Sequence, residues 1–253
     1  MIEKIREMAK AQYRKRGIAY FFARTALGDW RYPLLCAFSS FQLCRASLLN
    51  RPIIHVIGDS HVTPFEFQNG FIAHHIGQAT AHNLIKENNT SNSREILLKV
   101  VSNINPKRDA LLLVFGEIDA RIHIHNQHMK TGKTIDELIN ATVSNYGKAI
   151  LELSSKGFRV AVLGIPPAGS QENIYKYPFY GSREERKAIS IAFNRALGAW
   201  CASIRVPFID VQKTASGSDG FLSGEFARDE IHLNSRIVPY VRSSLIKAFS
   251  VGI

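Results

Sequence analysis

Short apolar runs alternate along the chain with stretches whose apolar residues fall at helical spacing. Ile53, Ile54, Val56 and Ile57 form a compact β-branched run between Pro52 and Gly58. Comparable runs occur at 71–76, at 109–115 (DALLLVF), at 158–163 and at 206–211. Such runs, bounded by Gly, Pro and polar residues, predict strands buried on both faces of a parallel sheet. Between them, Thr80 is placed to cap a helix containing Ala81 and Leu84. Residues 95–104 carry Ile96, Leu97, Val100, Val101 and Ile104 on one face before Pro106. A long helix is predicted over 134–155. Another runs over 183–203, where Ser182 and Glu185 have the spacing of a capping box. A closing helix is predicted over 235–249. Residues 86–94, 168–182 and 212–231 read as loops, the second polar and aromatic and suited to lining a substrate cleft. Strand–helix alternation of this kind predicts a parallel sheet with helices on both faces.

The first 50 residues do not share this rhythm. Ile2, Ile5, Met8 and Ala9 fall at helical spacing among Lys4, Arg6, Lys10, Arg14, Lys15 and Arg16. This is a basic amphipathic helix, suited to packing with a solvated basic face, to an anionic membrane surface or to a partner. Residues 17–50 are aromatic-rich and read as a broken helical segment punctuated by Gly28, Asp29 and Pro33. The chain therefore divides into a helical N-terminal extension, 1–50, and one α/β domain, 51–253.

Composition narrows the class. With 253 residues and 45% apolar content the chain can bury a sizeable core. Its net charge of +11 favours anionic surfaces or substrates but says nothing about fold. The three cysteines, Cys36, Cys44 and Cys201, include no C-x-x-C pair. The N-terminus lacks the apolar core of a secretory signal. No run approaches the roughly 18 apolar residues of a spanning helix. Together these features predict a cytoplasmic protein, with peripheral contact to an anionic membrane as a further option. Nucleic acid is not an expected partner.

The candidate chemistry starts where the first strand ends. Gly58-Asp59-Ser60-His61 follows the apolar run without a spacer. In open α/β sheets, ligands bind beyond the carboxyl ends of the strands, so Ser60 is a candidate nucleophile. A serine hydroxyl needs a base, and the base needs a group to orient it. Asp229 and His232, three residues apart near the C-terminus, supply both. The G-x-S-x-G elbow of ordinary α/β-hydrolases is absent, because Val62 occupies the position of its last glycine.

A GDSH segment after the first strand and an Asp-x-x-His near the C-terminus resemble the SGNH, or GDSL-type, hydrolases. The resemblance covers the chain from about residue 52 onward. It implies a flavodoxin-like three-layer α/β/α sandwich with a mainly parallel five-stranded sheet. It implies a Ser60–His232–Asp229 triad acting on a carboxylic ester through an acyl-enzyme, with no cofactor. Of the oxyanion donors it implies, the Ser60 N–H matches the first and Gly77 the second. The third block, G-x-N-D in the family, reads here Gly116-Glu117-Ile118-Asp119. Ile118 thus replaces an asparagine donor. Gly116 stays at the substrate rim, and Arg121 is either a cationic donor or anion clamp there, or an ion-pair partner of Glu117 or Asp119. The resemblance of this third block to those of family members tied to surface polysaccharide assembly implies an O-acyl or O-acetyl ester of a carbohydrate as substrate. An O-acyltransferase of the same fold and a non-catalytic carbohydrate-binding module are the alternatives.

Other motifs assign less. His123, His125 and His128 form H-x-H-x-x-H, read as loop histidines near a polar cleft and not as a metal site. His61 and His82 have no informative spacing. Thr131-Gly132-Lys133-Thr134 imitates the end of a P-loop, but Gln127 stands where the first glycine is required.

Overall fold

A computed structural model describes residues 31–87 and 91–250. The basic segment at 1–17, and the stretch up to residue 30, lie outside the described residues. Five strands, β1 (Ile54–Gly58), β2 (Phe71–His75), β3 (Ala110–Val114), β4 (Arg159–Leu163) and β5 (Phe208–Ile209), form one sheet in the order β2-β1-β3-β4-β5. Every pairing is parallel. The mainly parallel sheet expected from the sequence is therefore wholly parallel. The last strand is shorter than the 206–211 run suggested: only Phe208 and Ile209 pair with β4.

The helices are α1 (Arg31–Leu48), α2 (Ser93–Val101), α3 (Ile124–Thr131), α4 (Ile135–Ser155), α5 (Arg183–Ser203), α6 (Gln212–Ala215) and α7 (Val238–Phe249). Strand side chains alternate between two buried layers. On one face Ile57, Leu111, Leu113 and Val162 meet α2, α4 and α5 through Leu97, Ile150 and Phe193. On the other, Ile54, Val56, Leu112 and Ala161 meet α7 through Val238, Val241 and Leu245, and a turn through Val62 and Phe65. Thr134 and Ser182 each form a complete capping box, with Glu137 and Glu185, at the start of α4 and α5. Of the segment read as helical and broken over 17–50, the described part is the continuous helix α1; the breaks expected at Gly28 and Asp29 lie outside the described residues. Pro33 of α1 lies in the first turn, where a missing N–H removes no intrahelical bond. Ala46 of α1 packs with Ile53 and Ile72 beside the β1–β2 edge.

Three local expectations change. The helix expected after Thr80 is a single 3₁₀ turn (Ala81–Asn83), and the Thr80 side chain caps nothing. The H-x-H-x-x-H residues are not in a loop: a π-helical turn (Asp119–His123) leads into α3, which carries His125 and His128. They form no group able to hold a metal among the described residues. The loop from 212 to 231 opens with the short helix α6. Among the described residues no helix is long and apolar enough to cross a membrane.

Candidate active site

β1 ends at Gly58, a position where a side chain has no room. A Cβ on Gly58 would stand 2.2 Å from the Val114 carbonyl oxygen of β3. The next residue, Asp59, is extended, and its side chain accepts the His61 N–H at 2.9 Å. That short-range bond starts a 3₁₀ turn (Ser60–Phe65). Ser60 is its first residue, half-buried just past the carboxyl end of β1.

A second aspartate shapes the opposite wall. Asp229 Oδ1 accepts the backbone N–H groups of Ile231 at 3.0 Å and His232 at 2.9 Å. The same carboxylate receives Nδ1–H of His232 at 2.9 Å. This fixes the tautomer: Nδ1 carries the proton, and Nε2 is free to accept. Ser60 Oγ lies 2.8 Å from that Nε2. The loop is held against the Ser60 turn by Arg228, whose guanidinium donates to Thr63 Oγ1 at 2.9 Å. It is closed by a bridge between Ala227 and Leu233. Burial tends to raise the Asp229 pKa, but the two N–H bonds and the imidazole outweigh it and bring it to about 2. The His232 pKa is lowered, by burial first and then by the neighbouring His61, with Asp229 opposing both.

Gly77 lies two residues past the carboxyl end of β2, at the same end of the sheet as the carboxyl end of β1, which leads into Ser60. Ile76 N–H donates to the Gly58 carbonyl at 2.9 Å, so Gly77 is one step further along. Its φ of +89° favours glycine, and the direction a Cβ would take is open. The segment after it is pinned by Asp119, which accepts the N–H groups of Ala81 at 2.7 Å and His82 at 3.2 Å. Gly116, by contrast, is buried, and a Cβ there would press on the Phe193 ring at 2.6 Å. Arg121 takes the ion-pair option. Its guanidinium grips Glu117 through two bonds of 2.6 and 3.1 Å and donates to the Pro178 carbonyl. Ile118 is half-buried, and its side chain has no donor.

Several residues here had no sequence signal beyond their type. His61 lies tilted against His232, ring centroids 4.6 Å apart and planes at 35°, and its Nε2–H donates to Glu117 Oε2 at 3.1 Å. Tyr177, from the 168–182 loop, donates its hydroxyl to Asp229 Oδ2 at 3.2 Å and sets its ring edge-on to His232. That loop is held by Arg186, which donates to the carbonyls of Gln171, Glu172 and Gly181. The i, i+4 spacing of Glu117 and Arg121 was the one local hint of this cluster.

No protein-family model matches the chain, and no curated protein matches it. Solved structures do. A GDSL-like lipase from Bacteroides thetaiotaomicron superposes with a TM-score of 0.52, covering 81% of this chain and 96% of its own, at 15% identity. The fold is that of the GDSL-type hydrolases. An acylhydrolase, so described provisionally, from Bacteroides fragilis gives a TM-score of 0.53 at 17% identity, over 82% of this chain and 95% of its own. In this GDSL-type frame Ser60 and the Asp229–His232 pair come from opposite ends of the domain and meet above the carboxyl ends of β1 and β3.

Proposed function

We propose that the protein is a serine-dependent carboxylic ester hydrolase. The observation that carries this reading is the contact chain from Ser60 Oγ through His232 to Asp229, 2.8 Å and then 2.9 Å. Ser60 Oγ attacks the ester carbonyl carbon while its proton passes to His232 Nε2. The carbonyl π electrons move onto oxygen, where the N–H groups of Ser60 and Gly77 are the proposed donors. Collapse of the tetrahedral adduct breaks the bond to the alcohol oxygen. His232 returns its proton to that oxygen, leaving an acyl-Ser60 and a free alcohol. Water, deprotonated by the same imidazole, then releases the carboxylic acid and restores the serine.

For the alcohol we assign a carbohydrate hydroxyl, with a small acyl group such as acetyl. Beside the third-block resemblance, the loop next to His232 supports this choice. Tyr175, 85% exposed, and Tyr180, 43% exposed, offer aromatic faces of the kind that the C–H faces of sugars pack on. Incubation with p-nitrophenyl acetate, with Ser60→Ala as control, tests the chemistry. The wild type is expected to release p-nitrophenol and to take up a fluorophosphonate label, and Ser60→Ala to do neither. Equal rates for the two proteins would overturn the assignment.

A further inference from the structure

His61 is nine-tenths buried and stands directly behind the proposed base, in a setting made of charge. On its own turn is Asp59, which lines one small cavity together with His61 and Glu117; Asp59 Oδ2 and His61 Nδ1 are both buried there with no hydrogen-bond partner among the described residues. From the helical turn after β3 come Glu117, hydrogen-bonded to Nε2, and Arg121, paired with that glutamate. From the C-terminal loop come His232, against its face, and Asp229 beyond it. From the 168–182 loop comes Tyr177, bonded to Asp229. Two carboxylates thus bear on His61, while Arg121 is satisfied by Glu117 and the Pro178 carbonyl. A packing residue at this position would need none of this. An apolar side chain would fill the space without the cost of burying a carboxylate partner.

We propose that His61 is a positioning residue for His232: an imidazolium hydrogen-bonded to Glu117, with the Asp59 carboxylate beside it on the same turn, and set at a tilt against the base, which keeps that base neutral. The inference rests on the reading of Ser60, His232 and Asp229 as a catalytic unit. The physics is direct. A cation set over a neutral imidazole is tolerated, whereas a cation over a second imidazolium is repelled across 4.6 Å. His232 therefore stays ready to accept the Ser60 proton under mildly acidic conditions. Once charged, it is pressed to pass the proton on to the departing alkoxide. Asp229 limits the effect from the other side. The directions agree with this arrangement. Burial opposes charging His61, yet Asp59 and Glu117 together raise its pKa, and His61 in turn lowers that of His232.

Histidine NMR separates this from a packing role and from the hydrolase reading itself. In the wild type His61 is expected to be protonated at pH 7 and His232 neutral. In His61→Phe, which keeps a ring against the base, the His232 titration should move up by about one pH unit, and His61→Asn should do the same. The acidic limb of kcat/KM for p-nitrophenyl acetate should follow it upward. A neutral His61 at pH 7, or a His232 titration unmoved in both variants, overturns the proposal. Loss of the Ser60 dependence of hydrolysis would instead overturn the enzyme assignment, and the titrations would still be readable.

Discussion

Asp59 and Asp229 perform the same local task and end with opposite protonation behaviour. Asp59 immediately precedes Ser60, Asp229 is itself the carboxylate of the proposed triad, and each closes a short turn by accepting backbone N–H from the residues that follow it. Asp59 accepts one such bond and is fully buried. Desolvation dominates and, against the pull of His61, raises its pKa to about 6. Asp229 accepts two, holds the His232 ring as well and is partly open to solvent, and its pKa falls to about 2. A turn-forming aspartate is thus not one kind of residue. The number of donors aimed at it and the depth of its burial decide whether it is a permanent charge or a group poised to lose one.

The comparison breaks most visibly on substitution by asparagine. Asp229→Asn is expected to lower kcat for ester hydrolysis by ~10³–10⁴-fold, because an amide neither fixes the His232 tautomer nor balances its charge. Asp59→Asn keeps an acceptor for the His61 N–H and removes a charge that burial already disfavours. Its kcat at pH 8 should stay within about tenfold of wild type, the size expected for a group that does not touch the reacting atoms. Steady-state kinetics on the two variants decides the matter. Equal losses would show that the two aspartates are equivalent after all.

The same contrast explains what could be read from the sequence. The triad residues lie in local devices: a strand end marked by Gly58, and an Asp-x-x-His turn closed by its own carboxylate. Such devices leave short-range patterns. The capping box at Ser182 was legible for the same reason, whereas at Thr134 only the start of the helix was predicted and its capping box came from the structure. The charged cluster behind His232 is different. His61 and Glu117 are 56 positions apart, and Arg121 reaches Pro178 across 57. No periodicity or spacing carries that information, so His61 was uninformative until the sheet brought it beside Glu117. The π-helical turn after β3 was missed because the apolar residues in and just after it, Ala120, Ile122 and Ile124, fall at every second position, a strand-like spacing, although Ala120 and Ile124 pack into the core from one helical face. The Tyr177 contact was missed because the loop carrying it is shaped by side-chain bonds from Arg121 and Arg186 and not by turn residues.

The buried side of the site can be pressed further. Glu117 is fully buried. Desolvation alone would raise its pKa, but the His61 bond and charge, with Arg121, hold it near 2. Removing it strands a buried guanidinium. Glu117→Ala should cost about 3–5 kcal/mol in chemical denaturation, the range for breaking a buried pair from one side. Glu117→Leu with Arg121→Leu removes both charges and should recover much of that loss, though not all, because His61 also loses its acceptor. A double variant no more stable than Glu117→Ala would show that the cluster is held by packing and not by charge balance.

The smallest effect concerns pH and stability, where the two kinds of carboxylate pull in opposite directions. Asp59, at about 6, and Asp119, raised by burial to about 7 despite its bonds from Ala81 and His82, take up protons in the folded state before the unfolded chain does. Folding therefore gains stability as pH falls from above 7 toward the unfolded value near 4. His61, with a raised pKa, adds to that trend, because its contribution is present at low pH and lost as pH rises through its folded value. His82, His123 and His232, with lowered values, oppose it below about 6.5. Asp229, Glu117 and Asp109, all near 2, stabilise the fold above about 4 and lose that contribution as pH falls through their folded values. The thermal midpoint should accordingly be a few degrees higher at pH 5 than at pH 8, since ~1 kcal/mol moves a domain of this size by about 2–4 °C. It should fall steeply below pH 4. Asp119→Asn should flatten the alkaline side while leaving the acidic collapse in place. A midpoint that declines steadily from pH 8 to pH 5 would mean that the buried aspartates are ionised throughout, and with them the contrast between Asp59 and Asp229 would disappear.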